Sequence, residues 1–542
     1  MSWAGQIVRK IAPVYAAKRE RAKLEILHSE AKQKILNQGY GDHGASRTKK
    51  ALKSWVPWAG DADEDIHENI EVLRARTRDM YIGGPIANGA LKAMRTNVIG
   101  TGLKLKPTID AKKIGLTEKQ ARELKRQIKD EFNYWAESRY CDATGIHNFY
   151  ELQQLAFLSW LQSGDCFALL PLIPERHSIY DLRIKIVEAD RCSSPLIKEL
   201  SNGNTIKYGV ETNANGRVVA YHFSDRHPGS SSVTPNKWTR VESVGQRSGR
   251  RNVLHLMESE RPDQLRGVPI LAPVIEALKQ LSRYTEAELM AAVISGMFTV
   301  FIETPEEDEQ DGFGLATEEP AWDNPTGEPI PSSSNELKLG VGAVQFLAPG
   351  EKANIANPGR PNQAFDGFVT SVLRQIGSSL EIPYELLIKH FTSSYSASRA
   401  ALLEAWKMFR MRRAWTSADF CQPIYEEWFV DAVVKGRINA PGIFNDPLLF
   451  RAYTQAEWHG PSQGLLNPVQ EVEAAAKKVE QGFSTREREA AEMNGSDFEE
   501  NAAQLAHEES ILQGSRPSEG GEKKNEQAGT KVLGDDEEQS DE

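Results

Sequence analysis

The amino-acid sequence predicts an α+β protein with more than one folding unit. Three observations lead there. The chain has 542 residues, beyond the ~100–200 of an ordinary domain. Helix-period stretches dominate up to residue 162 and again from Pro269, whereas short β-rich runs separated by Asn/Gly turns fill the block between. Apolar residues make up 40% and charged residues 26%, a composition that supports a buried core and excludes a disulfide scaffold, collagen and a wholly disordered polymer.

Tyr15 to Gln38, rich in Ala, Lys, Glu and Leu, reads as a helix stopped at Gly39. A helical pattern then runs twice, Ile70–Met80 and Ile86–Val98, broken at Gly83-Gly84-Pro85, with Pro85 suited to the first turn of the second helix. Gly100-Thr101-Gly102 ends that helix, and Leu103–Lys106 alternates like a short strand. Leu116–Glu137 sets Leu124, Ile128, Phe132 and Trp135 on one stripe of a charged helix, and Phe149–Gln162 is a more apolar helix. Five β-rich runs follow: Asp165–Leu172, Leu182–Val187, Ile206–Glu211, Val218–Phe223 and Val253–Met257.

From Pro269, Leu271, Ile275, Leu278, Leu281, Tyr284, Leu289 and Val293 keep near-helical spacing as far as Gly296. Residues 303–336 hold 11 Asp/Glu, no Lys or Arg and five prolines, the composition of a mobile acidic loop. Gly342–Leu347 reads as a strand. Phe365, Phe368, Val369, Val372, Leu373, Ile376 and Leu380 form a helical stripe ended by Ile382-Pro383. Ser396–Val434 is expected to be helical with a break at Pro423; Gln470–Gln481 and Thr485–Glu492 read as short charged helices, and Arg516–Glu542 as a disordered tail.

The net charge of −11 is uneven. Residues 1–56 carry 12 Lys/Arg against 4 Asp/Glu, residues 471–542 carry 8 against 20, and the middle carries 45 against 52. A basic arm, a mildly acidic body and an acidic tail result. The arm interleaves Lys49, Lys50 and Lys53 with Trp55 and Trp58; it is either a binder of nucleic acid or an acidic partner, or a solvated helix face. The uncharged stretch ending at Ile302 is shorter than the ~20 residues of a membrane span. The first residues lack an apolar signal core, and Cys141, Cys166, Cys192 and Cys421 are scattered without a C-x-x-C pair. The expectation is an intracellular protein, or one assembled inside a cell, with reduced thiols.

No phosphate loop, H-E-x-x-H or G-x-S-x-G occurs. His222, His227 and Asp225 occupy a Ser/Gly/Pro-rich loop and fall short of a metal ligand set. Cys166 reads as a buried structural thiol rather than the partner of His147. Asp61, Asp63, Glu64 and Asp65 read as the acidic start of a helix, where the macrodipole favours negative charge. No catalytic, metal or cofactor site is expected.

Three stretches taken together carry a resemblance. The first runs Leu73-Arg74-Ala75-Arg76-Thr77-Arg78-Asp79-Met80, then Gly89 to Asn97, then Val98-Ile99-Gly100-Thr101-Gly102-Leu103. The second is Ile376-Gly377-Ser378-Ser379-Leu380-Glu381-Ile382-Pro383-Tyr384-Glu385-Leu386-Leu387 followed by Tyr395 to Glu404. The third runs from Trp458-His459-Gly460-Pro461 through Asn467-Pro468 and Gly482-Phe483-Ser484-Thr485 to Glu508-Glu509. In this order, over roughly residues 60–510, the set resembles the lambda-type portal proteins of tailed bacteriophages.

The resemblance implies a subunit built as wing, stem, clip and crown, assembling into a dodecameric ring at one capsid vertex. The ring would form the channel through which double-stranded DNA is packaged and ejected. Carried over here, residues 1–56 would be a basic arm and 57–265 the wing. Residues 266–383 would hold the stem helices with an inserted clip and the acidic loop. Residues 384–398 would contain the tunnel loop, 399–470 the long helix and crown, and 471–542 a charged helical region and tail. Lys389, His390, Phe391, Thr392, Ser393, Ser394 and Tyr395 would face the DNA; Phe391 and Tyr395 are equally placed to anchor the loop on a neighbouring subunit. Lys407, Arg410, Arg412 and Arg413 would contact DNA, or else form a solvated or subunit-facing stripe. The implied partners are further copies, the terminase large subunit, major capsid and scaffold proteins, and a head–tail connector or adaptor, with no membrane. The implied location is the virion, and the host cytoplasm during assembly. Two other classes stay open: an intracellular α+β hydrolase or nuclease, expected as a compact monomer or dimer, and a non-ring head structural or adaptor protein, expected as a small oligomer.

Overall fold

A computed structural model describes residues 13–36, 45–47, 49–57, 59–195, 203–231, 235–296, 300–302, 344–346, 364–391, 394–464 and 467–515. The chain divides into two compact units, Met1–Asp65 and Ile66–Glu542. The first contains the helix expected near the N-terminus, observed as Pro13–Leu36. The Gly39 stop, Trp58, the acidic stretch 303–336 and the Arg516–Glu542 tail lie outside the described residues.

The helical pair at the start of the larger unit is Ala62–Gly83 and Pro85–Val98. A single residue parts them: a Cβ on Gly84 would sit 2.6 Å from the Met80 carbonyl oxygen, so only glycine fits, and Pro85 opens the second helix. That helix turns Ala87, Ala90, Leu91, Met94 and Val98 inward. Strand β1, Lys104–Pro107, follows. The helix Glu118–Glu137 begins with a capping box between Thr117 and Gln120 and buries Ile128, Phe132 and Trp135; Phe149–Ser163 begins with another, between Asn148 and Glu151.

The β block forms two sheets. β2 (Asp165–Leu169) lies between β3 (Lys185–Val187) and β8 (Val253–Met257), both antiparallel to it. β4 (Thr205–Lys207), β5 (Val210–Thr212), β6 (Val218–Ser224) and β7 (Trp238–Glu242) form an antiparallel meander. Two expectations change here. Ile206–Glu211 is not one strand but a hairpin, turned by Tyr208 and Gly209, both at positive φ (54° and 83°). The meander also gains β7, whose half-exposed Trp-Thr-Arg-Val-Glu lacks the apolar content that marks a strand in sequence.

The helix Ile275–Gly296 leads to β9 (Val300–Ile302), which pairs in parallel with β10 (Val344–Phe346). Phe365–Ser379 and the short Tyr384–Ile388 precede the long helix Tyr395–Thr416. Where a break was expected at Pro423, the chain stays helical. The residues Ser417–Cys421 wind as one π-type turn and Gln422–Val434 continues, with Pro423 in its first turn, where it has no N–H to waste. Pro447–Thr454, β11 (Ala456–His459) and three charged helices, Pro468–Glu480, Arg486–Asn494 and Phe498–Ser515, complete the described chain.

β11 pairs antiparallel with β1, setting Leu105 opposite Trp458. This closure brings residues 353 apart in sequence into one core. At its centre Phe132 packs edge-on against Trp428 (5.0 Å between ring centroids), Tyr425 and Phe149 (both 5.6 Å), with Trp458 at 6.0 Å. Each such fully buried side chain contributes about 1.5–3 kcal/mol by leaving water. A smaller core of Phe167, Val187, Cys192, Val210, Tyr221, Phe223 and Val253 lies between the two sheets.

Candidate functional site

The segment expected to face DNA joins the helices Tyr384–Ile388 and Tyr395–Thr416, and both of its ends are held. Upstream, a Cβ on Gly377 would lie 2.6 Å from the Ile382 carbonyl oxygen, and the Ile382 N–H donates to the Gly377 carbonyl at 2.9 Å. Glu381 adopts a left-handed φ of 57°, while Leu380, Ile382 and Leu387 are buried. The motif read around these residues is therefore a tight, glycine-dependent helix exit. Lys389, itself left-handed (φ 56°), closes the short helix, and its N–H and that of His390 both donate to the Glu385 carbonyl. Downstream, the Ser394 hydroxyl accepts from the Ala397 N–H and caps the long helix. Lys389, His390 and Phe391 are exposed, Phe391 by 51%. Thr392 and Ser393 lie outside the described residues, and Tyr395 opens the long helix.

The second basic zone divides. Lys407 and Arg410 are exposed one turn apart, Lys407 pairing with Glu404 at 2.6 Å. Arg412 is buried and reaches Glu258 at 3.0 Å and Glu381 at 3.7 Å. Arg413 donates to the Val98 and Asn97 carbonyls at 3.0 and 2.8 Å, satisfying the C-terminal end of the helix Pro85–Val98. Burial, and then the neighbouring Arg410, lower its pKa to about 10. Arg412 and Arg413 thus brace the long helix against the rest of the subunit, and Lys407 and Arg410 are the pair left facing outward.

A buried charge knot, not read from the sequence, fixes the first helical pair to the sheets. Asp165 on β2 is fully buried. Its Oδ1 accepts from Arg74 at 2.9 Å, and its Oδ2 accepts from Arg266 Nε at 2.6 Å and from the Gly267 N–H at 3.3 Å, with His255 Nε2 also at 3.3 Å. Arg266 further donates to the carbonyls of Ala189, Cys192 and Tyr208. Burial would raise the Asp165 pKa, but Arg266 and Arg74 hold the carboxyl far below the usual range. Next to the knot, His67 stacks on Tyr208, and burial, then Arg266 and Arg74, lower its pKa to about 3. One signal was available in sequence: Arg74 stands on the stripe Ile70, Arg74, Thr77, Met80, all buried, where a lone charge requires a partner.

The other tempting residues separate. His222 Nε2 meets Glu211 at 3.1 Å, while His227 Nδ1 accepts from the Gly229 N–H. Burial would raise the Glu211 pKa, but hydrogen bonds from Arg240, Asn204 and His222 bring it to about 2. Cys166 is buried on β2, its thiol pushed up to about 12 by burial, and His147 lies beside Asp142. Among the described residues no three His, Cys, Asp or Glu converge as a metal site, and no helix is long and apolar enough to cross a membrane.

The first resembling stretch is likewise architectural. Gln153 clamps Leu103 by accepting from its N–H at 2.6 Å and donating to its carbonyl at 3.2 Å, and a Cβ on Gly102 (φ 111°) would collide with Tyr150. The motif residues located this way shape or join elements of an α+β subunit. Residues 48–413 match the phage portal protein, lambda family, two thirds of the sequence, and the chain belongs to that family. It is 25% identical over 489 residues to portal protein B of Escherichia phage lambda, covering 87% of this chain and 90% of that protein. It is 25% identical over 471 residues to the portal protein of Escherichia phage N15, covering 84% and 87%. Among solved structures it is similar to a chain from the neck of an empty gene transfer agent particle, at 12% identity and a TM-score of 0.38, covering 77% of this chain and 92% of that one. A likeness that low carries no further weight.

Proposed function

We propose that this portal-family chain closes into a ring of twelve at one capsid vertex, in the virion and, during assembly, in the host cytoplasm. The family match over residues 48–413 supports this reading. Its channel passes double-stranded DNA inward during packaging and outward at ejection. The ring breaks no bond itself: the terminase large subunit docks on it and drives the DNA, capsid and scaffold proteins surround it, and a head–tail connector follows.

The charge suits a conduit. Twelve copies of −11 carry about −132, and each phosphate contact made would add to a salt-sensitive grip that resists sliding. Sparse cations serve passage better. Lys389 and His390 on the tunnel loop, with Lys407 and Arg410 on the long helix, are the exposed cations assigned to the channel. The loop between the anchors at Lys389 and Ser394 acts as the gate. Deleting Phe391–Ser394 tests it: rings should assemble, while packaging or DNA retention fails. Normal packaging with stable full heads would refute the gate.

A further inference from the structure

The last three helices share little apolar surface with the body of the subunit. Among the described residues, neither apolar core takes a side chain from beyond Trp458, and between Pro468 and Ser515 only Ala475 and Glu489 are buried. Leu505, Ile511 and Leu512 are all more than half exposed. Where the segment approaches the body at Gly495 it meets backbone, since a Cβ there would lie 3.5 Å from the Gly460 carbonyl oxygen.

Charge makes the crossing instead. Residues 468–515 hold 11 Asp/Glu against 4 Lys/Arg, and their carboxylates reach cations on three separate elements. Lys106 on β1 pairs with Glu487 and, at 3.5 Å, with Asp497. Lys129 on the helix Glu118–Glu137 pairs with Glu500, and Arg399 on the long helix donates to Glu471 at 2.7 Å. Each of the three helices is thus fastened by at least one carboxylate at or near its start. Such a fastening is sensitive to salt, because the screening length falls from about 10 Å at 0.1 M to about 3 Å at 1 M. Glu487 and Glu500 stay 55% and 60% exposed, so solvent ions reach both pairs. A released segment would also melt: its helices Pro468–Glu480 and Arg486–Asn494 have 13 and 9 residues, and isolated helices shorter than about 12–15 are marginal in water.

We propose that residues 468–515 are a strap that charge latches to the body and that rising ionic strength unlatches. Release uncovers Lys106, Lys129 and Arg399, so the body trades an acidic surface for a cationic one. Amide hydrogen exchange on the full chain tests this, followed over residues 486–515 with the helix Glu118–Glu137 as reference. Raising NaCl from about 0.1 M to about 1 M should speed exchange over 486–515 by about tenfold or more and leave the reference unchanged. Lys106→Gln with Lys129→Gln should exchange as fast already at the lower salt. Lys129→Glu should do so over Phe498–Ser515, and adding Glu500→Lys should restore protection, which a lysine needed only for packing would not allow. If the double glutamine variant fails to fold, this charge swap decides. Equal exchange at both salt concentrations, as when neighbouring copies grip the strap through Leu505 and Ile511, overturns the proposal, and so does a swap that restores nothing.

Discussion

Asp165→Asn probes the buried knot that joins the helix Ala62–Gly83, β2, β8 and the Arg266 turn. The amide keeps the side chain's shape but turns one acceptor oxygen into a donor that faces other donors, Arg74 at 2.9 Å or Arg266 at 2.6 Å. Two guanidiniums, each 2–3% exposed, then lose their counter-charge. Removing one partner of a buried ion pair costs about 3–5 kcal/mol, against a total folding stability of about 5–15 kcal/mol. Urea unfolding of dilute, unassembled subunits should show a loss in that range. Because Asp165 has a depressed folded pKa, its contribution is present above the unfolded value near 3.9 and is lost only as pH falls through the folded one. The gap between wild type and variant should therefore stay constant from pH 7 to pH 5. Replacing the whole knot by apolar residues, Arg74→Met with Asp165→Leu and Arg266→Met, should not recover the loss, because the Ala189, Cys192, Tyr208 and Ser163 carbonyls and the Gly267 N–H would lose their partners. A loss below about 1 kcal/mol for Asp165→Asn would refute this reasoning.

Two further outcomes follow from the same region. His67 stays neutral when folded down to about pH 3, whereas the unfolded side chain takes a proton near 6.5. Stability should thus fall by about 1.4 kcal/mol per unit as pH drops from 6.5 towards 3. Urea midpoints of His67→Phe should lack that increment, and identical wild-type and variant slopes between pH 6.5 and 4 would count against it. Gly267→Ala would push a Cβ to 1.9 Å from the Gly164 carbonyl oxygen, backbone against backbone; a loss of about 2–4 kcal/mol is expected in thermal unfolding, and a neutral result would mean that the helix-to-strand junction at Gly164 can shift.

Much of the helical frame was legible in sequence because its cues are local. The break at Gly83-Gly84-Pro85, the stripe ending in Phe132 and Trp135, and the stop at Ile382-Pro383 all rest on neighbours within one or two turns. What escaped depends on distant partners. Nothing near Leu105 announces Trp458, and nothing in β2 announces that Asp165 will meet Arg74 and Arg266, 91 and 101 residues away. The Tyr208-Gly209 hairpin was hidden because a tyrosine seldom takes positive φ, so six residues looked like one strand. The helical run passes Pro423 because a π-type turn ends just before it, so the proline falls in the first turn of the next helix, where its missing N–H costs least. Around Lys407–Arg413 the sequence showed only a run of basic residues, and its division into two bracing arginines and two outward cations needed the fold.

The mass of the purified protein by light scattering, with negative-stain images of the same peak, tests the ring most directly. Twelve copies of 60.4 kDa give about 725 kDa, and the images should show particles with a central hole, eleven to thirteen subunits being acceptable for a ring made outside the capsid. A mass that stays at one subunit across protein and salt concentrations, with no holed particles, would contradict it.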